Sequence, residues 1–528
     1  MEGLRTHFVR IFAGFVALAL AACAAAPPHV AEDKAFPAPA AVEVIAAGYD
    51  NIADKYLESL QVRTIGLEAL RGLGAIDPAI TIEPDGKDVK ISESGREIGR
   101  QPLPAEDDPR AWAQLTVAAS QVARQWSSEM RKSDPEKIYE AVFDGMLSEL
   151  DIYSRYSGRD EARRNRARRD GFGGIGVRIK QTGHEVKITR IQPHSPAAEA
   201  GLAVGDTIVA VDGTPIGELK PRGISELMRG PVDTPVRLLV RRLADGKEVT
   251  LDLVRQHIVP TTVTHRIEDG ILYLDVDSFN QKTADSVKQA ILAAQAEAGN
   301  TLKGAVLDMR GNPGGLLRQS IKLANLFLTQ GRIISTHGRH PDSVHHYDAD
   351  GEDILKGRPL VVLIDGKSAS AAEIAAAALQ DRGRAVLIGT SSYGKGSVQT
   401  VIRLPNDGEL TITWSRLVTP SGYTLHGLGV HPAICTSTIT SPEIGDPLLS
   451  PINDGKAQAD VFSRWRRPAL LAEEERAALR DICPPERHED GKDLDLAKRL
   501  IADRALYARA LMPTQATVQA GAKAAANW

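Results

Sequence analysis

Residues 360–379 read LVVLIDGKSASAAEIAAAAL: five apolar residues, a turn carrying Asp365 and Gly366, then small residues opening on Ser368 and Ser370. Leu360 to Ile364 suits a strand covered on both faces, and the alanine-rich run to about Leu379 has high helix propensity. Outward from this unit, Ile271 to Val276 and Ala305 to Met309 are further apolar strands separated by helical patterns. Residues 257–440 therefore predict an α/β core, a sheet covered by helices. A serine hydroxyl at a strand-to-helix turn is open to a substrate carbonyl when its neighbours are small. A Ser-Ala repeat at a helix start is equally a plain N-cap, so the serine gains meaning only from its company.

Two further segments supply that company. Asp308, Met309, Arg310, Gly311, Asn312, Pro313, Gly314 and Gly315 lie between a strand and a helical run from Leu316 to Leu328. Glycines at a helix start turn backbone donors towards negative charge. The segment lacks the Lys-Ser/Thr ending of a P-loop and the spacing of a dinucleotide fingerprint, so an oxyanion hole fits it better. Tyr393, Gly394, Lys395, Gly396, Ser397, Val398 and Gln399 set a lysine between glycines at the start of a strand. A serine attacks only when a base takes its proton. Lysine is such a base only when neutral, and at an unperturbed pKa of ~10.4 about one in a thousand is free amine near neutral pH. Burial raises that fraction. Gln399 can accept a hydrogen bond from the amine without adding the negative charge that would keep it cationic. The tetrahedral oxyanion needs two donors, here the N–H of Ala371 and one from Gly314 or Gly315.

Ahead of the α/β region, Gly173, Gly174, Ile175, Gly176 and Val177 open a strand with N–H groups able to form a nest for a terminal carboxylate. Ser195 to Ala198, Ala200 to Leu202, Gly205, Asp206 and Ile208, then Val211 to Gly213 follow in order. Residues 171–256 so resemble a PDZ domain. The resemblance implies that Gly174, Ile175, Gly176 and Val177 receive a peptide C-terminus as an added strand. An apolar pocket with Ile224 and Met228 would choose its side chain. Asp233 stands where related modules usually carry glycine, and Asp tolerates positive φ better than a β-branched residue.

In this order and spacing the segments resemble the C-terminal processing (tail-specific) peptidases, over about 300 residues from near Asp134 to Pro432. Leu150, Asp151, Ser154 and Tyr156, and Gly427, Gly429, Val430 and Pro432, share in it. The resemblance implies a multidomain α+β chain: a helical N-terminal domain, a PDZ domain, a crotonase-like α/β serine-protease core and a helical C-terminal extension. It implies Ser370 as nucleophile, Lys395 as general base 25 residues later, Gln399 as the residue that orients the lysine, and Asp381 as a supporting acid. No cofactor or metal is implied. The partners implied are protein or peptide substrates with exposed apolar C-termini, with room for an adaptor protein. Ala372 replaces a serine of the family pattern, Asp365 an asparagine, and Ile152 with Tyr153 a Pro-His pair; none is expected to touch the hydroxyl or the amine. The alternative is a catalytically inactive PDZ scaffold that binds protein tails.

The flanks suggest an address. Arg5 and Arg10 precede an apolar run, Ile11 to Ala22, of 12 residues, too short to span ~30 Å of hydrocarbon, so residues 1–22 predict a signal peptide. Leu20, Ala21, Ala22 and Cys23 resemble the bacterial lipobox, which implies a lipidated Cys23, and Ala24 after it implies the outer membrane. The expected location is the periplasmic side of the cell envelope. Residues 23–48 are Ala/Pro-rich and read as a tether. Residues 49–170 read as a mainly helical domain, with Ile52, Tyr56, Leu60, Leu67 and Leu70 on one face. Five arginines between Glu161 and Arg169 read as a solvated helix end, and residues 441–528 as a charged helical extension. Cys435 and Cys483 would lie in an oxidising compartment and could pair. His337, His340, His345 and His346 match no metal-ligand spacing and read as a polar surface loop. With 64 basic and 68 acidic residues in 528, the net charge of −4 gives no general electrostatic case for nucleic acid.

Overall fold

The computed structural model describes residues 35–437, 455–467, 472–486 and 491–521. The stretch read as a signal peptide, residues 1–22, and Cys23 lie outside the described residues. The apolar strands form a six-stranded sheet in the order Val263–Glu268, Ile271–Val276, Gly304–Asp308, Leu360–Ile364, Val386–Gly389, Ile434–Cys435. The first pair is antiparallel and the rest parallel. A parallel sheet must be covered on both faces. On one face, helices Thr283–Ala298, Leu317–Asn325 and Ala371–Asp381 bury Leu272, Leu274, Leu307 and Val362.

The other face is covered by the C-terminal extension. Phe462, Leu496, Leu500, Ile501, Leu506 and Tyr507 pack on Tyr273, Val306, Val361, Leu363 and Val386. The extension is thus a layer of the core rather than an appendage beginning at residue 441. Its apolar stripes are short and interleaved with charge, which concealed this role. Cys435 on the last strand is disulfide-bonded to Cys483, with Cα atoms 5.9 Å apart.

A second sheet, antiparallel throughout, runs His345–Ala349, Gly331–His337, Glu409–Val418, Ser397–Arg403, and Arg155–Ser157 also pairs with Glu409–Val418. The histidine-rich stretch is therefore a hairpin of regular strands, not a loop. The N-terminal domain is mainly helical around a three-stranded meander, Ile80–Asp85, Asp88–Glu93, Arg96–Pro102. Its first helix, Ala38–Lys55, begins inside the stretch read as a tether, because Ala41, Val44 and Ile45 form a buried face that the alanine-rich composition hid. Leu410 and Ile412 of the second sheet, and Leu404 just after its strand Ser397–Arg403, share this domain's core. Two of the five clustered arginines are only partly solvated. Arg166 and Arg169 of helix Arg159–Arg169 reach the buried Glu409 at 3.1 and 2.7 Å and dock the helix on the second sheet.

In the PDZ region the strands run Glu248–Val254, Pro235–Arg241, Thr207–Val211, Glu185–Ile191, Val177–Thr182, which leaves the last at an open edge. Helix Pro221–Met228 buries Ile224 and Met228 in the module's core. Asp233 has φ of +66°, a conformation that the short acidic side chain tolerates.

Candidate active site

The turn after strand Leu360–Ile364 puts Ser370 at the N-cap of helix Ala371–Asp381 with φ of +56°. A non-glycine residue there is strained by ~1–2 kcal/mol and persists only where its surroundings over-determine it. They do so from both sides. Asp365, which replaces the family's asparagine, is buried and its Oδ1 accepts from the N–H of Gly311 at 2.9 Å and of Ser368 at 3.0 Å. Ser368 Oγ donates to the Met309 carbonyl at 2.8 Å, and the Ala369 N–H to the Asn312 carbonyl at 2.9 Å. The serine turn and the 308–315 loop are thus one hydrogen-bonded unit.

That unit decides which oxyanion donors are free. The Gly314 N–H is used by Asn312 Oδ1 at 2.8 Å, so of the two glycines considered, Gly314 is removed. Gly315 has φ of +143°, and a Cβ there would fall 2.1 Å from the Phe279 carbonyl oxygen, so only glycine fits. Among the described residues nothing accepts from the N–H of Gly315 or of Ala371. Ala371 N lies beside the Gly314–Gly315 turn, 2.9 Å from where a Gly314 Cβ would be. These two donors flank Ser370 at the positive end of a helix.

Glu373, part of the serine phrase but assigned no role from sequence, ties this unit to the lysine. It is fully buried. Its Oε2 accepts from the Ser370 N–H at 2.6 Å and from the Lys395 N–H at 2.9 Å, and its Oε1 from Gly394 N–H at 2.6 Å and Ser392 Oγ at 2.5 Å. Sharing Oε2 holds the backbone nitrogens of Ser370 and Lys395 no farther apart than the sum of the two distances, 5.5 Å. Burial raises the Glu373 pKa, and the four donors oppose that rise.

Ser370, Lys395 and Gln399 line one cleft of about 820 Å³, with Gly315 on its wall. Burial, and secondarily the nearby Arg155 charge, lower the Lys395 pKa, which favours the neutral amine. Among the described residues the amine has no hydrogen-bond partner. It sits 4.8 Å from the centroid of the Tyr153 ring. The expectation that Ile152-Tyr153 stands clear of the amine is therefore corrected: Tyr153 is its nearest aromatic contact, held by a turn in which Asp151 Oδ1 accepts from the N–H of Tyr153 and of Ser154, each at 3.0 Å. Nothing in a linear pattern could show this, since Tyr153 and Lys395 are 242 positions apart. Gln399 does not bond Lys395 either: its Nε2 donates to Ser397 Oγ at 2.9 Å and Thr413 Oγ1 at 3.1 Å. Asp381 lies outside the cleft, at the far end of the 11-residue helix, about 16 Å along its axis. There it accepts from Ser421 N–H and Oγ at 3.0 and 2.7 Å and faces Arg466 at 2.7 Å. Its part is structural.

In the PDZ module Gly174, Ile175, Gly176, Val177 and Met228 line a groove of about 310 Å³ along the open edge strand. Ile224 does not line it and belongs to the module's interior. Among the described residues no three His, Cys, Asp or Glu side chains gather as a metal site.

A serine at a strained turn, two free backbone donors, a lysine whose pKa burial lowers and a groove for an extended peptide suit a serine peptidase with a PDZ module. Residues 270–436 match the profile of peptidase family S41 and residues 187–242 that of the PDZ domain. The chain is 40% identical over 303 residues to a carboxy-terminal-processing protease of Bartonella bacilliformis, covering 57% of this chain and 70% of that protein. It is 31% identical over 317 residues to a probable CtpA-like serine protease of Staphylococcus haemolyticus, covering 59% of this chain and 62% of that one. Among solved structures, the photosystem II D1 C-terminal processing protease is similar at 25% identity with a TM-score of 0.35, over 70% of this chain and 92% of that chain. The chain belongs to peptidase family S41. It is a C-terminal processing serine peptidase with a PDZ domain.

Two outcomes follow from this geometry. Only neutral Lys395 can take a proton, so kcat/KM should rise with pH through the lysine's lowered pKa. The Tyr153 ring face favours the cation by ~0.5–1 kcal/mol, so Tyr153→Leu should move that acid limb down by about half a pH unit. Tyr153→Phe should leave it in place, and an unmoved limb in the leucine variant would show that the ring does not act on the amine. Glu373→Gln should lower kcat by about a hundredfold through misplacement of serine and lysine, while peptide affinity measured at the PDZ module stays unchanged.

Proposed function

We propose that Ser370 and Lys395 act as a catalytic dyad that cleaves polypeptides whose C-termini the PDZ module has captured. The neutral Lys395 amine takes the proton of the Ser370 hydroxyl as its oxygen attacks the scissile carbonyl carbon. The oxyanion is held by the N–H groups of Ala371 and Gly315, each worth ~2.7–4 kcal/mol by the usual cost of a lost donor. The ammonium then protonates the departing amine, leaving an ester on Ser370. Water, deprotonated by the same lysine, hydrolyses that ester and frees the serine. The observation that carries the reading is the single Glu373 oxygen that bonds both Ser370 N–H and Lys395 N–H. The amine must leave the Tyr153 ring to reach the hydroxyl, and a Gln399 carbonyl oxygen in the same cleft is a suitable acceptor to steady it there.

Capture supplies the tail. A peptide added along edge strand Val177–Thr182 would set its carboxylate at the Gly174–Gly176 turn and its last apolar side chain towards Ile175 and Met228. The substrates are then envelope proteins with apolar tails, presented directly or by an adaptor protein, to an enzyme anchored in the outer membrane by lipid on Cys23.

Purified Ser370→Ala should retain tailed proteins and cut none, whereas wild type cuts them. Residual cleavage by the variant would refute the dyad. Cys23→Ser should move the protein from the membrane to the soluble periplasmic fraction on cell fractionation, and an unchanged distribution would refute the anchor.

A further inference from the structure

The groove of the PDZ module carries a charge pattern that tail capture by itself does not require. Arg178, Arg190 and Arg229 line it, and no acidic side chain does. On the edge strand Val177–Thr182, exposed residues alternate with half-buried ones, so Arg178 and Lys180 share the outer face while Val177 and Ile179 turn inward. Across the strand pair, Arg178 stands opposite Arg190 and Lys180 opposite Lys187. Like charges directly opposite each other on an antiparallel pair are destabilising. Glu185 answers Lys187 at 2.9 Å, but among the described residues Arg178, Lys180 and Arg190 form no salt bridge. Arg229 stands on the groove's other side, its guanidinium 4.0 Å from the Phe172 ring centroid.

Resting on the tail-capture reading above, we propose that the module selects tails with acidic residues second and fourth from the end. An added strand places successive side chains on opposite faces. With the last side chain turned to the apolar pocket at Ile175 and Met228, the second and fourth from the end stand on the outer face, beside Arg178, Arg190 and Lys180. Two carboxylates there relieve the facing cations and keep their own hydration at the rim. Such rim pairs set partner choice and encounter rate more than total affinity. The catalytic cleft has the same bias: Arg155, Arg318 and Lys322 line it without forming a salt bridge among the described residues, and its one acid, Asp170, is held by Gln281 at 3.0 Å. A tail passed from groove to cleft meets cations in both.

The test is fluorescence anisotropy on the full chain carrying Ser370→Ala, with labelled peptides that share one apolar last residue and carry Glu, Gln or Lys at both second and fourth positions. Affinity should fall in the order Glu, Gln, Lys, with about tenfold between the extremes at low salt, and the spread should shrink as ionic strength screens exposed pairs. R178Q with R190Q should bring the three peptides towards parity, and R178E with R190E should reverse their order. Equal affinities for the three peptides overturn the acidic preference and leave tail capture standing. If the same peptides with amidated C-termini bind as well as the free acids, tail capture itself falls, and the preference with it.

Discussion

A carboxylate sealed in the core registers the two loops that carry Ser370 and Lys395. Among the described residues Glu373 gains no salt bridge in return for its desolvation. It gains four donors at 2.5 to 2.9 Å, three of them backbone N–H groups of the two loops that carry Ser370 and Lys395. Charge-assisted bonds of this kind are about twice as strong as neutral ones, and in a low-dielectric interior that difference offsets much of the cost of burial. Because the acceptor sits on the first turn of helix Ala371–Asp381, the positive-φ turn at Ser370 and the lysine loop are positioned by one side chain. Ser392 extends the network, receiving the Val430 N–H at 2.7 Å while donating to Glu373. The Gly427–Pro432 phrase is thereby drawn into the site without touching the cleft.

The other end of the helix is fixed with equal care. Asp381 closes on Ser421 and on Arg466, a residue of the extension. Losing one partner of a buried pair exposes the other to an uncompensated desolvation cost, so the extension and Ser370 are mechanically linked through a single helix. The N-terminal domain enters the site by a different route. Its 151–154 turn, whose Asp151 N–H donates to Tyr56 Oη at 3.1 Å, delivers the Tyr153 ring to the lysine amine. Ser370, Lys395 and the Tyr153 ring thus come from three different parts of the chain, and their alignment depends on how those parts are packed together.

How far this was legible can be traced through particular residues. The strand, turn and alanine-rich helix around Ser370 were readable because local periodicity and the packing partner agree on one structure. The PDZ order was readable from its turn glycines. Glu373 stood in view within the phrase, but its function is to receive donors from residues 19 to 22 positions away, and no periodicity encodes that. The choice between Gly314 and Gly315 rested on an Asn312 side chain bending back two residues. The Ala38–Lys55 helix was hidden because alanine serves tethers and tightly packed helix faces alike. The extension was hidden because its stripes become a sheet cover only when the sheet is there to receive them.

Charge offers the sharpest contrast between composition and placement. A net of −4 over 528 residues says little about the field at any one surface, since potentials near a groove follow the nearest few charges within a Debye length of ~8–10 Å. Here acids and bases cancel where they dock elements, as Glu409 does with Arg166 and Arg169. Among the described residues, Arg178, Lys180 and Arg190 along the open PDZ strand and Arg155, Arg318 and Lys322 on the cleft walls form no salt bridge. A groove and a cleft so lined favour an extended chain that carries negative charge. The whole sequence, at −4, keeps an acidic balance that discourages indiscriminate binding of polyanions.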